Sequence, residues 1–113
     1  MKIDKTLVSG SAGMLVLRLL TERDMYGYQI TEQLAARSKN VFEMKSGTLY
    51  PLLHSLEQKG FITAYEQTEN GRMRRYYSIT ADGRRQLEEK AEEWGVFRTA
   101  VDVVLGGELC VQG

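Results

Sequence analysis

The Asn70-Gly71 pair is the feature of this sequence that most constrains the fold. It lies between two β-prone runs, FITAYEQ before it and MRRYYSI after it. Both residues tolerate the positive φ angles of a tight turn, so this stretch is predicted to be an antiparallel hairpin. Alternation along the second strand places Tyr77 and Ile79 on one face, and we expect that face to point into the core.

The chain before the hairpin has helical rather than alternating periodicity. Apolar residues spaced three and four apart predict a first helix over 11–22, or from residue 4 in a longer version, and a second helix over 28–38. Gly27 lies just before the second helix, where it is expected to serve a tight backbone position. The small apolar island at Val41 and Phe42 is compatible with a short strand.

A third helix is predicted immediately before the hairpin, in the segment SGTLYPLLHSLEQKG. Ser46 or Thr48 is expected to cap its N-terminus, with Pro51 near the first turn, where a missing N–H is tolerated best. Gly60 is expected just beyond its C-terminus, where a left-handed residue commonly follows a helix. The buried stripe of this helix is expected to consist of Leu49, Leu52, Leu53 and Leu56.

A long last helix is predicted from Thr80, whose hydroxyl caps it, to the glycine pair at 106 and 107. So small a domain offers this helix little surface of its own. Its apolar stripe is therefore expected to meet a second copy of the chain, with folding back onto its own domain as the alternative. The predicted dimer interface comprises Leu87, Trp94, Val101 and Leu105.

Charge is distributed unevenly although the net charge of the 113 residues is zero. Residues 1–85 hold 13 Lys and Arg against 9 Asp and Glu, a net charge of +4, whereas residues 86–113 hold 2 against 6. An acidic end therefore masks a basic body, which favours a nucleic-acid partner or, alternatively, reflects an ordinary solvated helix face.

Enzymatic chemistry is not expected, because the single histidine and the single cysteine form no triad, phosphate loop or metal-ligand cluster. No cofactor or metal ion is therefore predicted. The lone Cys110 suits a reducing compartment. No signal peptide is apparent, and no apolar run is long enough to span a bilayer. We therefore expect a cytoplasmic protein, which a DNA partner would place at the nucleoid of a prokaryotic cell.

The predicted order of helices, hairpin and long helix is that of a winged helix-turn-helix, an α+β and mainly α fold. We divide it into a DNA-binding domain over 1–80, a dimerisation helix over 81–107 and a loose tail over 108–113. The segments MYGYQI, SGTLYPLLHSLEQKGFI and RRYYSITADGRRQL resemble PadR-type transcriptional regulators. The single C-terminal helix is similar to that of the smaller PadR class, which includes multidrug-sensing members.

Short hydroxyl side chains at a helix N-terminus and arginines near a hairpin tip suit phosphates and base edges. The resemblance implies that Tyr50 contacts DNA, with packing under the wing as the alternative. Tyr28 could equally belong to a packed corner, His54 could be an ordinary surface histidine, and the arginines could simply be solvated. The predicted DNA-binding residues are Lys45, Ser46, Thr48, Tyr50, His54, Tyr28, Arg72, Arg74 and Arg75.

These features predict a homodimeric, sequence-specific regulator that binds a palindromic operator in double-stranded DNA, as a repressor of a nearby operon. The resemblance implies that Trp94 faces its symmetry mate, where a small planar aromatic ligand could bind Trp94, Phe97 and Ala91 and release the DNA. Plain core or interface packing of Trp94 is the alternative. A winged-helix protein–protein module without DNA binding is the other hypothesis, supported by the zero net charge and by the lack of a basic residue at the centre of the third helix.

Overall fold

In the computed structural model, which describes residues 3–106, four helices and a three-stranded antiparallel sheet form a mainly helical α+β fold, as predicted. The sheet order is β1-β3-β2, so the last strand lies in the middle. The expected tail at 108–113 and Cys110 lie outside the described residues. The elements are α1 (Lys5–Glu22), β1 (Met25–Tyr26), α2 (Gly27–Arg37), α3 (Ser46–Gln58), β2 (Ile62–Glu69), β3 (Arg72–Ile79) and α4 (Ala81–Val104).

Helix α1 has the longer of its two predicted extents, because Asp4 caps it by accepting a hydrogen bond from the Thr6 backbone N–H at 2.8 Å. Its far end is joined to the end of α2 by Arg37, which donates to the Glu22 carboxylate at 2.7 Å and 2.5 Å. These hydrogen bonds lower the pKa of the Glu22 carboxyl. The ion pair joins the ends of the first two helices at the surface.

The predicted hairpin is confirmed. Asn70 and Gly71 have φ angles of 52° and 77°, which makes a two-residue turn, and Glu69 pairs directly with Arg72 across it. Tyr77 is buried, and Ile79 packs partly buried against the core, as alternation predicted.

The short strand predicted at Val41 and Phe42 is wrong. Lys39 and Asn40 both adopt positive φ angles, 52° and 68°, so the chain turns there instead of extending. The Phe42 backbone N–H donates to the Ser38 hydroxyl at 2.9 Å rather than to a neighbouring strand. Phe42 serves the fold by packing against the core from this irregular segment.

A strand that the sequence did not predict lies at Met25–Tyr26. It pairs with β3, so that Met25 lies opposite Tyr77 and Tyr26 opposite Tyr76. Met25 is fully buried and anchors this strand in the core. The pairing ties the start of α2 to the middle strand of the hairpin sheet.

Helix α3 has the predicted buried face, with Leu49, Leu53 and Leu56 buried and Leu52 packed against them. The predicted capping by Ser46 or Thr48 is wrong. The helix begins one residue earlier, so Lys45 is the N-cap, and its carbonyl accepts from the N–H groups of the first turn without a side-chain cap.

Pro51 lies in the second turn of α3 rather than the first, where its missing N–H leaves the Gly47 carbonyl without its usual helix partner. The C-terminus ends as predicted: Gly60 has a φ of 80°, and its N–H donates to the Glu57 carbonyl at 3.0 Å. The Phe61 N–H donates to the Leu56 carbonyl at 3.0 Å, which completes the usual helix-ending motif.

Helix α4 begins as predicted, because the Thr80 hydroxyl accepts from the Gly83 N–H at 3.0 Å. Leu87 packs against the core of its own domain, so this predicted dimer-interface residue already has an intrachain partner. Leu105, another predicted interface residue, follows the last helical residue as the C-cap, and Gly106 turns the chain with a φ of 89°.

The core lies between α1, α2, α3 and the inner face of the sheet. It positions the outward sides of α3 and the hairpin. Its buried side chains are Ala12, Val16, Leu17, Leu19, Leu20, Met25, Ile30, Leu34, Met44, Leu49, Leu53, Leu56, Ile62 and Tyr77.

Candidate nucleic-acid interface

The exposed surface of α3 and its N-cap includes five of the predicted DNA-binding residues. The leucines point towards the core, whereas short hydroxyls, a lysine, an aromatic and the histidine are exposed to solvent. The N-terminal end of this helix also favours an anion through its free N–H groups. We call this surface the recognition face; it consists of Lys45, Ser46, Thr48, Tyr50 and His54.

Gly47 lies within this surface and was not singled out from the sequence. It is exposed, and a Cβ built on it would meet nothing within 4 Å. The absence of a side chain leaves the backbone of the first turn open to close approach by a ligand. A glycine inside the first turn of a helix was the available sequence signal, since the position gains no packing from it.

Tyr50 is partly exposed and partly packed against its own chain. Its side chain is 48% exposed, yet its ring end lies against Gly27 at the start of α2. A Cβ at Gly27 would lie 2.8 Å from Tyr50 Cζ and closer still to the hydroxyl. Gly27 therefore serves the tight position predicted for it, and the phenol remains partly accessible at the junction of α2 and α3.

Tyr28 is 64% exposed in the first turn of α2. The packed corner therefore involves its neighbours rather than Tyr28 itself: Gly27 is buried, and the Tyr26 backbone N–H donates to Gln29 Oε1 at 3.2 Å. The exposed phenol of Tyr28 is available to a ligand that crosses this end of α2.

The three arginines of the hairpin occupy three different environments. Arg72 is exposed beside the turn. Arg74 lies with its guanidinium carbon 4.3 Å from the centre of the Tyr26 ring. Arg75 points to the other face of the sheet and pairs with Glu57 of α3 at 3.2 Å, which joins the hairpin to α3.

A row of three tyrosines, which the sequence did not predict, crosses the outer face of the sheet. We call Tyr26, Tyr76 and Tyr65 the tyrosine row, since strand register places them side by side. The Tyr65 and Tyr76 rings stack with centres 5.7 Å apart, and Tyr26 meets Tyr76 edge-on at 5.4 Å. Three aromatic residues at adjacent sheet positions contribute packing beyond their buried area.

Two members of this row, Tyr65 at one end and Tyr76 in the middle, donate hydrogen bonds to carboxylates. The Tyr65 hydroxyl donates to Asp24 at 2.6 Å, which together with burial raises the pKa of Tyr65 to about 12. The Tyr76 hydroxyl donates to Glu69, and this bond raises the pKa of Tyr76. These two hydrogen bonds hold the Tyr65 and Tyr76 rings in place within the row.

The second half of α4 exposes a large apolar surface. Trp94, the one tryptophan, is 43% exposed, and its ring centre lies 6.0 Å from that of Phe97. Ala91, the third predicted ligand residue, is exposed one turn before Trp94. We call this region the association surface; its exposed large apolar residues are Trp94, Val96, Phe97, Val101, Val103, Val104 and Leu105.

Within residues 3–106, no three His, Cys, Asp or Glu side chains come together as potential metal ligands. None of the helices in this range is long and apolar enough to cross a membrane.

Most of the chain is similar to known proteins. Residues 16–89 match the Transcriptional regulator PadR-like family. The transcriptional regulator Rv3488 of Mycobacterium tuberculosis is 33% identical over 100 residues, covering 82% of this chain and 81% of that protein.

Solved structures agree over most of the chain. A transcriptional regulator from Clostridium thermocellum has a TM-score of 0.80 at 31% identity, covering 85% of this chain and 94% of its own. A PadR family transcriptional regulator from Eggerthella lenta has a TM-score of 0.79 at 33% identity, covering 88% and 86%.

Proposed function

Because the chain belongs to the PadR-like family of transcriptional regulators, as its three motifs predicted, we propose that it is a homodimeric repressor of a nearby operon. Membership of this family of DNA-binding regulators confirms the prediction that the chain is not an enzyme. It also favours the DNA-binding hypothesis over that of a protein–protein module.

The recognition face is the observation that carries this proposal. An α-helix fits the major groove of B-DNA, and α3 directs its leucines inward while its polar N-terminal half faces outward. Thr48 and Tyr50 offer hydroxyl and apolar contacts to base edges, and Lys45 and Ser46 suit the phosphates that set the docking register. Arg72 at the wing and Tyr28 at α2 flank this helix with further phosphate contacts.

Binding is tested by fluorescence anisotropy with the DNA upstream of the chain's own gene. Thr48→Ala is expected to weaken operator binding about 10-fold, the effect of losing one base contact, while leaving non-specific DNA unaffected. Thr63→Ala is the matched control, because it removes the same atoms from an exposed position on β2. No binding by pure protein at low salt would refute the proposal.

Dimerisation through α4 is supported by the association surface. The apolar stripe of a helix is normally buried against a partner, yet seven large apolar residues from Trp94 to Leu105 are exposed in the single chain. Val101→Asp is expected to convert a dimer to a monomer in light scattering, and Thr99→Asp is the control for added charge on the same helix. A monomeric wild type at micromolar concentration would contradict the proposal.

Two-fold symmetry would place two copies of α3 about one helical turn apart along a palindromic operator, or a multiple of that distance. A planar aromatic ligand between the association surfaces would alter DNA affinity only through a different affinity for the DNA-bound and free arrangements. Trp94 and Phe97 are the residues expected to contact it. Quenching of Trp94 fluorescence by such compounds would support this part of the proposal. If the compounds released Phe97→Ala from the operator as well as they release the wild type, this part would be contradicted.

A further inference from the structure

The guanidinium of Arg74 is held against the tyrosine row. Its carbon lies 4.3 Å from the centre of the Tyr26 ring, a distance typical of a cation–π contact. Its Nε is buried and has no hydrogen-bond partner among residues 3–106. Arg72, two positions nearer the turn, makes no comparable aromatic contact in the same range.

This arrangement leaves part of the guanidinium available to a ligand. A guanidinium that stacks through its face keeps its N–H groups in the plane, where they still donate sideways. Arg74 is partly exposed, and its two Nη groups form no hydrogen bond within the described part of the chain. The donors that remain for a ligand are therefore those at the outer end, on a side chain that has lost much of its usual freedom.

The Tyr26 ring is itself firmly placed. It meets Tyr76 edge-on, Tyr76 stacks on Tyr65, and the Tyr65 hydroxyl donates to Asp24, two residues before Tyr26. The Tyr26 backbone also begins α2 through its hydrogen bond to Gln29. One ring thus joins the wing arginine to the first turn of α2.

We propose that Tyr26 is a positioning residue for DNA binding, which holds Arg74 ready to donate to a backbone phosphate beside the start of α2. This inference rests on the proposed function. An arginine ordered before binding loses less side-chain entropy when it meets the phosphate, so its contact is stronger than that of a free surface arginine. Arg72, which has no comparable aromatic contact within residues 3–106, serves as the control arginine.

A double-mutant cycle on DNA affinity tests the inference. Tyr26→Leu is expected to weaken binding about 5-fold, the size of effect of a cation–π contact, whereas Tyr26→Phe keeps the ring and stays within about 2-fold of the wild type. The effect of Tyr26→Leu should disappear in an Arg74→Ala background and persist in an Arg72→Ala background.

The salt dependence of DNA affinity distinguishes a lost phosphate contact from a general loss of folded protein. Arg74→Ala should reduce the slope of log affinity against log salt by about 0.9, the change for one phosphate contact. Arg74→Lys keeps the charge, so it should retain the slope while weakening binding, and it decides the question if Tyr26→Leu does not fold. Additive Tyr26 and Arg74 effects, or an unchanged slope in Arg74→Ala, would overturn the inference alone. No DNA binding by the wild type would overturn the proposed function as well.

Discussion

The contact between Gly27 and Tyr50 makes Gly27→Ala an informative perturbation. The added Cβ would lie 2.8 Å from Tyr50 Cζ and 3.1 Å from Tyr50 Cε1. Both distances are shorter than ordinary contacts between carbon atoms, which begin near 3.4 Å. Because the obstacle is the end of a half-exposed side chain, the Tyr50 ring can move aside. We expect a folded protein whose Tyr50 is displaced from the junction of α2 and α3.

Two opposing effects set the change in the free energy of unfolding. Forcing the Tyr50 side chain away from its preferred angle costs about 1 kcal/mol. Replacing a helical glycine by alanine contributes up to about 1 kcal/mol in the other direction. The net effect on stability should therefore be within about 1 kcal/mol of zero, whereas DNA binding should lose the Tyr50 contact.

The assay pairs urea unfolding with anisotropy on operator DNA. Gly27→Ala should bind about as weakly as Tyr50→Ala, and in a Tyr50→Ala background it should stabilise the fold because the obstacle is absent. Gly10→Ala, at a helical position with nothing within 4 Å of the new Cβ, controls for helix propensity. Wild-type DNA affinity in Gly27→Ala, or an identical stability change with and without Tyr50, would refute this reasoning.

Three further predictions concern stability. Gly83→Ala should lower the free energy of unfolding by about 2 kcal/mol, because its Cβ would collide with a backbone carbonyl that cannot rotate away; an unchanged melting temperature would contradict this. The hydrogen bond donated by Tyr65 raises the pKa of Tyr65 from 10.0 to about 12. The contribution of this bond to the free energy of unfolding is therefore present below pH 10 and lost towards pH 12. In urea titrations between these pH values, Tyr65→Phe should lose less stability than the wild type. Hydrogen bonds from Arg37 lower the pKa of Glu22, so their contribution to the free energy of unfolding is present above pH 4.5 and lost on further acidification. Glu22→Gln should therefore lose less stability than the wild type as the pH falls. Identical acid-unfolding curves for the two proteins would argue against this contribution.

Features that depend on only a few neighbouring residues were predicted well from the sequence. The Asn70-Gly71 turn, the Thr80 cap and Gly60 at the end of α3 each depend on the backbone of the neighbouring residues. The cap of α3 was predicted wrongly, because two adjacent hydroxyls suggested a side-chain cap where the Lys45 carbonyl alone starts the helix.

Contacts between distant parts of the chain were not predictable from one sequence. Strand β1 has only two residues, too few for any periodicity, and it exists because β3 offers a partner about 50 residues later. Leu87 has the spacing of an interface residue, yet the start of α4 lies close enough to its own core to bury part of it.

The sequence by itself determined the order of elements, the inward leucines of α3, the polar recognition face and the family to which the chain belongs. These properties follow from local turn chemistry, from side-chain periodicity and from short motifs. Only the tertiary structure decided that Tyr50 rests against Gly27 and that Arg74 rests on Tyr26. Those contacts depend on strand register and helix docking, which bring together residues that no spacing along the chain relates.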